Sequence, residues 1–181
     1  VVAGARTGFP ALVFEQANGD FAAQIRAAAV DALGDMAGEI VWDLYGGVGD
    51  TARLLAARGA EVWSVDQDRS AVAWARRQGV SGGSAHYLAG RVEELLHRLP
   101  EPAAVVVNPP RAGLHRRVAE ALEQWGERRR DVARISYVSC DPATLARDLT
   151  RMPAFALRDV RAYDLFPQTA HVETLAVLVA A

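Results

Sequence analysis

Lysine is absent from this 181-residue chain; all 20 basic residues are arginine, set against 22 acidic ones. The formal net charge is −2, whereas a free-standing nucleic-acid-binding domain usually carries a clear basic excess. Bulk electrostatics therefore do not drive this chain onto DNA or RNA. Cysteine is reduced to one, Cys140, which excludes an internal disulfide framework and a thiolate-only zinc or iron–sulfur site. A reducing cytoplasm is the expected compartment. No apolar run approaches the roughly 20 residues that span a bilayer, so no membrane partner is expected. An initiator Met is missing too. The chain opens Val1-Val2-Ala3-Gly4 without a signal-peptide layout, and it is expected to be part of a longer protein.

What is present is a globular composition, 51% hydrophobic and 23% charged. The length fits one domain, 1–181, whose core buries roughly 70% of the unfolded chain's surface. Strand and helix patterns alternate along it. Short apolar runs at 39–43, 61–66, 85–88, 103–108 and 133–138 read as strands. Helical patterns at 50–57, 70–78, 91–98, 114–125 and 142–150 separate them. Such alternation predicts a parallel sheet wrapped by helices on both faces, with right-handed crossovers. The last 27 residues break the rule with two strands and no helix, at about 155–163 and 172–180. A closing hairpin that leaves one strand antiparallel is expected. That is the layout of the class I methyltransferase variant of the doubly wound α/β (Rossmann-like) fold. Residues 1–35 read as an N-terminal segment and then a helix, from about Gly19 to Leu33, packed over the sheet.

In an open parallel sheet, ligands bind outside the carboxyl ends of the strands, and four strand ends carry unusual residues. The first is Asp43-Leu44-Tyr45-Gly46-Gly47-Val48-Gly49-Asp50, a glycine-rich turn into a helix whose N-terminus favours negative charge. With Ala52 in the third glycine's place it also satisfies a permitted dinucleotide variant, so NAD stays open here. The second is Asp66, placed to accept hydrogen bonds from both hydroxyls of a ribose, while Asp68 is the better cap for the next helix. The third is Asn108-Pro109-Pro110-Arg111, where two prolines hold the chain extended as it leaves the sheet and Asn108 offers both a donor and an acceptor. The fourth is Ser139-Cys140-Asp141-Pro142, with Asp141 as N-cap and Pro142 at the first helical position. Cys140 then sits between a buried strand and the positive end of a helix, a setting that favours the nucleophilic thiolate. A small buried apolar side chain is the alternative for a lone cysteine.

Together these segments resemble the S-adenosylmethionine-dependent RNA uracil-5 methyltransferases, which make 5-methyluridine in transfer and ribosomal RNA. The resemblance runs from about Phe14 to Val179 through five motifs in order: Phe14-Glu15-Gln16-Ala17-Asn18, Asp43 to Gly49, Asn108 to Gly113, Tyr137 to Thr144, and Phe166-Pro167-Gln168-Thr169-Ala170-His171-Val172-Glu173. It implies S-adenosylmethionine as cofactor, held by Gln16, Tyr45, Gly47, Asp50, Asp66 and Asn108. It implies Cys140 as nucleophile and Glu173 as base, Asn108 and Arg111 as substrate contacts, and no metal. It further implies RNA as partner, bound mainly through an N-terminal barrel domain that this chain does not contain, and a monomeric protein. The family usually has Asp where Asn108 stands. Asn-Pro-Pro also opens the motif of amino-group methyltransferases, so an N-methyltransferase or an inactive cofactor-binding module remains an alternative. Arg116, Arg117 and Arg128-Arg129-Arg130 read as solvated surface rather than phosphate contacts.

Overall fold

The computed structural model describes residues 19–164 and 172–181. Its element order is α1 (Gly19–Asp31), β1 (Ile40–Leu44), α2 (Asp50–Ala57), β2 (Glu61–Asp66), α3 (Arg69–Gln78), β3 (Ser84–Ala89) and α4 (Val92–Leu95). There follow β4 (Ala104–Val107), α5 (Arg116–Arg128), β5 (Arg134–Ser139), α6 (Pro142–Leu149), β6 (Phe155–Tyr163) and β7 (Glu173–Ala180). The alternation expected from sequence is thus present, with two differences of detail. The helix expected over 91–98 is one short α-turn continued as a 3₁₀ turn, Leu96–Arg98. The helix expected from 114 starts at Arg116, because His115 acts as its N-cap and accepts from the Arg117 backbone N–H.

The strands form one seven-stranded sheet in the order β3-β2-β1-β4-β5-β7-β6. Neighbours from β3 to β5 pair in parallel. β7 inserts antiparallel between β5 and β6, so β6 runs the same way as the parallel strands and β7 alone opposes them. This is the doubly wound sheet with a C-terminal antiparallel strand. The central strands are apolar on both faces because both faces are covered. In β4, Val105 and Val107 enter one core with Val118, Leu122 and Trp125 of α5. Ala104 and Val106 enter the other with Leu55 and Ala56 of α2 and with Val30 and Leu33.

The helix α1 covers the far end of the second face. Ile25 and Ala29 pack on Val138 and Leu175. The buried Ser136 hydroxyl donates to the Ala29 carbonyl at 2.7 Å. Arg134 reaches the Leu33 carbonyl at 3.2 Å. The chain just upstream, with Gln16 and the whole Phe14–Asn18 motif, lies outside the described residues, as does Phe166–His171. Among the described residues, no helix is long and apolar enough to cross a membrane.

The Ser136–Ala29 bond predicts a stability change. Ser136→Ala leaves a buried carbonyl without its donor and should cost about 1–3 kcal/mol. Urea unfolding with an unchanged slope and a lower midpoint is the expected result.

Candidate active site at the carboxyl edge of the sheet

The glycine turn after β1 is shaped by a buried carboxylate. Asp43 accepts from the Ser64 hydroxyl at 2.9 Å and lies below the N-terminus of α2, where the Ala52 backbone N–H also favours its charged form. Burial outweighs both and raises its pKa to about 7, with the charges of Asp66 and Asp50 adding to the rise. A Cβ on Gly46 would come within 2.3 Å of the Ser64 Oγ and 2.4 Å of the Asp43 Oδ2, so only glycine allows the turn to close on this pair. The next residue differs. Gly47 has φ +55, and a Cβ there would meet nothing within 4 Å. The turn is therefore closed beneath Gly46 and open above Gly47.

Asp66, at the end of β2, braces that turn. Its Oδ2 accepts from the Gly47 backbone N–H at 2.9 Å and its Oδ1 from the Asp68 N–H at 2.7 Å. Each oxygen keeps a second lone pair. Asp68 caps α3 through the N–H groups of Ser70 and Ala71, as its position suggested. Asp50 is paired with Arg53 and, at 3.5 Å, with Arg26 of α1, so its carboxylate ties α1 to the turn. Tyr45 holds a left-handed backbone at φ +62. Its ring packs against the core and its buried hydroxyl makes no hydrogen bond of standard geometry. Burial pushes that hydroxyl up to about 12, with the nearby His115 backbone N–H opposing the shift. What Tyr45 presents to the turn is chiefly its backbone.

The other two strand ends complete the edge. Asn108 extends β4 by one residue, donating its backbone N–H to the Leu44 carbonyl at 3.2 Å, and its side chain is exposed. Pro109 is buried, while Pro110 and Arg111 are exposed. Beyond β5, Ser139 braces the turn: its hydroxyl accepts from the Asp141 N–H at 3.2 Å. Asp141 caps α6 by accepting from Thr144 at 2.9 Å, and that N–H holds its carboxyl below the usual range. Cys140 is half-buried, with a free thiol.

Cys140 and Glu173 lie 33 positions apart in sequence. The β5–β7 ladder ends with Ser139 paired to Thr174, so Cys140, where the chain bends away from β5, and Glu173, the first residue of β7, both flank that last pair at the carboxyl edge of the sheet. Glu173 is only 7% exposed, and burial raises its pKa, with the Arg111 guanidinium pulling the other way. Arg111 also favours the charged form of Asp141, so its charge acts on both carboxyls. A thiol, a basic carboxylate and a guanidinium thus share one end of the sheet, beside an open glycine turn. Among the described residues, no group of three or more His, Cys, Asp or Glu side chains is arranged to hold a metal ion.

Two features were not singled out from the sequence. Ser64, the partner of Asp43, is one polar residue within an apolar strand. Asp148 is fully buried against the turn that follows Asn108. Its signal was available, because Leu145, Asp148, Leu149 and Met152 follow the i, i+3, i+4, i+7 spacing of a core-facing helical stripe. The surface arginines behave as expected. Arg116 pairs with Glu120, and Arg128 and Arg129 pair with Glu101.

Comparison with known proteins adds sequence to geometry. A family profile described as tRNA (uracil-5-)-methyltransferase matches residues 93–181. A protein of Nitratidesulfovibrio vulgaris described as an RNA methyltransferase is 40% identical over 168 residues, covering 87% of this chain and 35% of its own length. The 23S rRNA (uracil(747)-C(5))-methyltransferase of Halothiobacillus neapolitanus is 36% identical over 173 residues, covering 92% of this chain and 44% of its own. Among solved structures, the Pyrococcus abyssi tRNA (uracil-54, C5)-methyltransferase in complex with S-adenosyl-L-homocysteine aligns with a TM-score of 0.73 at 31% identity. It covers 93% of this chain and 40% of that one. The chain therefore spans less than half the length of each of these relatives.

Asp43 supplies a signed pH prediction. Its folded pKa is raised from 3.8 to about 7, so the folded state holds a proton that the unfolded chain releases. Stability from this group is complete below pH 4, falls as the pH rises through about 7, and stays low above it. Asp43→Asn should flatten that fall and leave the variant more stable than wild type at pH 8, by about 1–3 kcal/mol. Urea unfolding of both proteins at pH 5 and pH 8 reads the difference.

Proposed function

Because the chain belongs to the tRNA (uracil-5-)-methyltransferase family, we propose that it is the catalytic part of an RNA methyltransferase forming 5-methyluridine in transfer or ribosomal RNA. The observation that carries this reading is that the β5–β7 ladder ends at Ser139↔Thr174, which leaves Cys140 and Glu173 both beside its last pair at the carboxyl edge of the sheet. C5 of uracil is too electron-poor to take an alkyl group unaided. The Cys140 thiolate adds to C6, and the electrons of the C5=C6 bond move into an enolate, which makes C5 nucleophilic. Bound S-adenosylmethionine supplies an electrophilic methyl to that carbon. Glu173 then removes the C5 proton; the C–H electrons restore the double bond as the Cys140–C6 bond breaks and the thiolate leaves. Partial burial makes the Glu173 carboxylate a stronger base, and Arg111 favours its charged form.

The residues at the turn fit the cofactor. Gly47 leaves open space where a side chain would stand, and Asp66 has lone pairs free for ribose hydroxyls beside it. Asp50 acts there through α1, and Gln16 would join from the segment before it. Asn108 follows β4, which lies between β1 and β5 in the strand order, and its exposed amide is assigned to the border of cofactor and base. Methylation of an exocyclic nitrogen through Asn108-Pro109-Pro110 needs no thiol, and would leave Cys140 and Glu173 without a purpose. RNA affinity is assigned mainly to the parts of the longer protein beyond this chain.

Two variants test the mechanism. Glu173→Gln in the full-length protein should trap it on substrate RNA, because a neutral amide cannot take the C5 proton and the Cys140–C6 bond then persists. A slow-migrating, protease-sensitive band on a denaturing gel is expected; ordinary turnover without a band removes Glu173 from the mechanism. Cys140→Ala should abolish both turnover and adduct while cofactor affinity stays within about twofold, since the thiol meets the base and not the cofactor. Product 5-methyluridine from the alanine variant would rule out the covalent route.

A further inference from the structure

Asp148 takes no part in the chemistry just described, yet its carboxylate is 0% exposed and satisfied from several directions. Its Oδ2 accepts from the Leu114 backbone N–H at 2.7 Å and from the Tyr137 hydroxyl at 2.7 Å. Its Oδ1 accepts from Arg147 at 2.9 Å and from Arg151 at 3.2 Å. Arg147 also donates to the Ala112 carbonyl at 2.7 Å. One carboxylate therefore joins α6, β5 and the turn that follows Asn108-Pro109-Pro110-Arg111. Helix α6 begins two residues after Cys140, and β5 ends one residue before it.

The turn is pressed onto α6 without slack. Gly113 is left-handed, at φ +77, and its N–H closes the turn on the Pro110 carbonyl at 2.7 Å. A Cβ there would stand 2.3 Å from the Thr144 Cγ2 and 2.4 Å from the Asp148 Oδ2. Arginines of its own helix already answer the charge of Asp148. The contacts to Leu114 and Gly113 are what reach across to the turn, and the turn carries Arg111 to Glu173 and Asp141.

We propose that Asp148 is a positioning residue: by gripping the Leu114 N–H against a space that only glycine fits, it fixes the Asn108–Gly113 turn to α6 and so keeps Arg111 beside Glu173 at the carboxyl edge of the sheet. Its effect on turnover rests on the function proposed above; its effect on Arg111 does not.

The test compares wild type with Asp148→Asn, Gly113→Ala and Glu123→Gln. The last removes a carboxylate that accepts from a backbone N–H, that of Ala154, between α5 and β6 and away from the site. The first readout is the titration midpoint of the Glu173 carboxyl by ¹³C NMR. Asp148→Asn and Gly113→Ala release Arg111, so the midpoint should rise by about half a pH unit or more. Glu123→Gln should lower the melting temperature and leave the midpoint in place. The second readout is the rate at which full-length protein forms the Cys140 adduct on 5-fluorouridine-containing RNA. It should fall about tenfold or more in the two site variants, with cofactor affinity within about twofold. If one of those variants fails to fold, the other decides. An unchanged midpoint and adduct rate in a folded site variant overturns the positioning role. So does a rate loss that merely tracks melting temperature across all three variants. Should the wild type form no adduct, the covalent mechanism falls, and the midpoint alone decides for Asp148.

Discussion

The ladder between β5 and β7 runs from Arg134↔Val179 to Ser139↔Thr174, and the chemistry at the sheet's edge hangs on its register. Side chains alternate faces along a strand, so a slip of one residue would turn Glu173 to the other face of the sheet and exchange the side chains that each of the two cores receives. The buried pattern of β7 opposes that slip. Leu175, Ala176 and Leu178 are all fully buried, distributed over both faces. On the outer side, β6 pairs with β7 from Phe155↔Ala180 to Tyr163↔Glu173, so the strand is held from both edges. Glu173, paired to Tyr163 on one side and next to the Ser139↔Thr174 pair on the other, thus owes its place at the edge to backbone.

Around that edge the carboxylates are sorted by environment. Asp43 is buried against the Ser64 hydroxyl and the Ala52 N–H, and its pKa is raised to about 7, so below neutrality it lies mostly uncharged under the glycine turn. Asp141, at a helix N-terminus, is held ionised by the Thr144 N–H. Asp148 is buried but meets two guanidinium groups. Glu173 lies between these extremes, buried enough to gain basicity and near enough to Arg111 to keep some preference for charge. The same functional group thus differs in its readiness to hold a proton according to what surrounds it.

Much of this was legible in the sequence, for reasons that differ by residue. The parallel strands were readable because uninterrupted runs such as Ala104-Val105-Val106-Val107 have no other stable use in a chain of this length. The caps Asp68 and Asp141 were readable because capping is local. That Glu173 comes to the same end of the sheet as Cys140 was not readable from residue types. It depends on β7 entering between β5 and β6, and nothing local in Glu173-Thr174-Leu175 specifies that neighbour; the family resemblance supplied it. The Asp43–Ser64 pair and the Asp148 hub were missed because each joins residues far apart in the chain, such as Leu114 and Asp148. That the Tyr45 hydroxyl is buried and that its backbone is left-handed were not legible either, because both depend on packing against distant parts of the chain.

The arginines divide in a way that bears on how RNA would be held. Arg58, Arg91, Arg116, Arg128, Arg129 and Arg161 pair with exposed or half-exposed carboxylates. Pairs of that kind contribute about 0–1 kcal/mol to stability, but each removes a cation from the set available to phosphate. Arg26 and Arg53 are tied to Asp50, and Arg147 and Arg151 to Asp148. Arg111 is different. It is exposed, and its neighbours are the carboxyls of the site itself. A nucleotide entering this edge would meet the Arg111 guanidinium beside the carboxyls of the site. Counterion release scales with the number of phosphates neutralised, so each arginine already held in an ion pair adds less to binding of a phosphate backbone than a free one would.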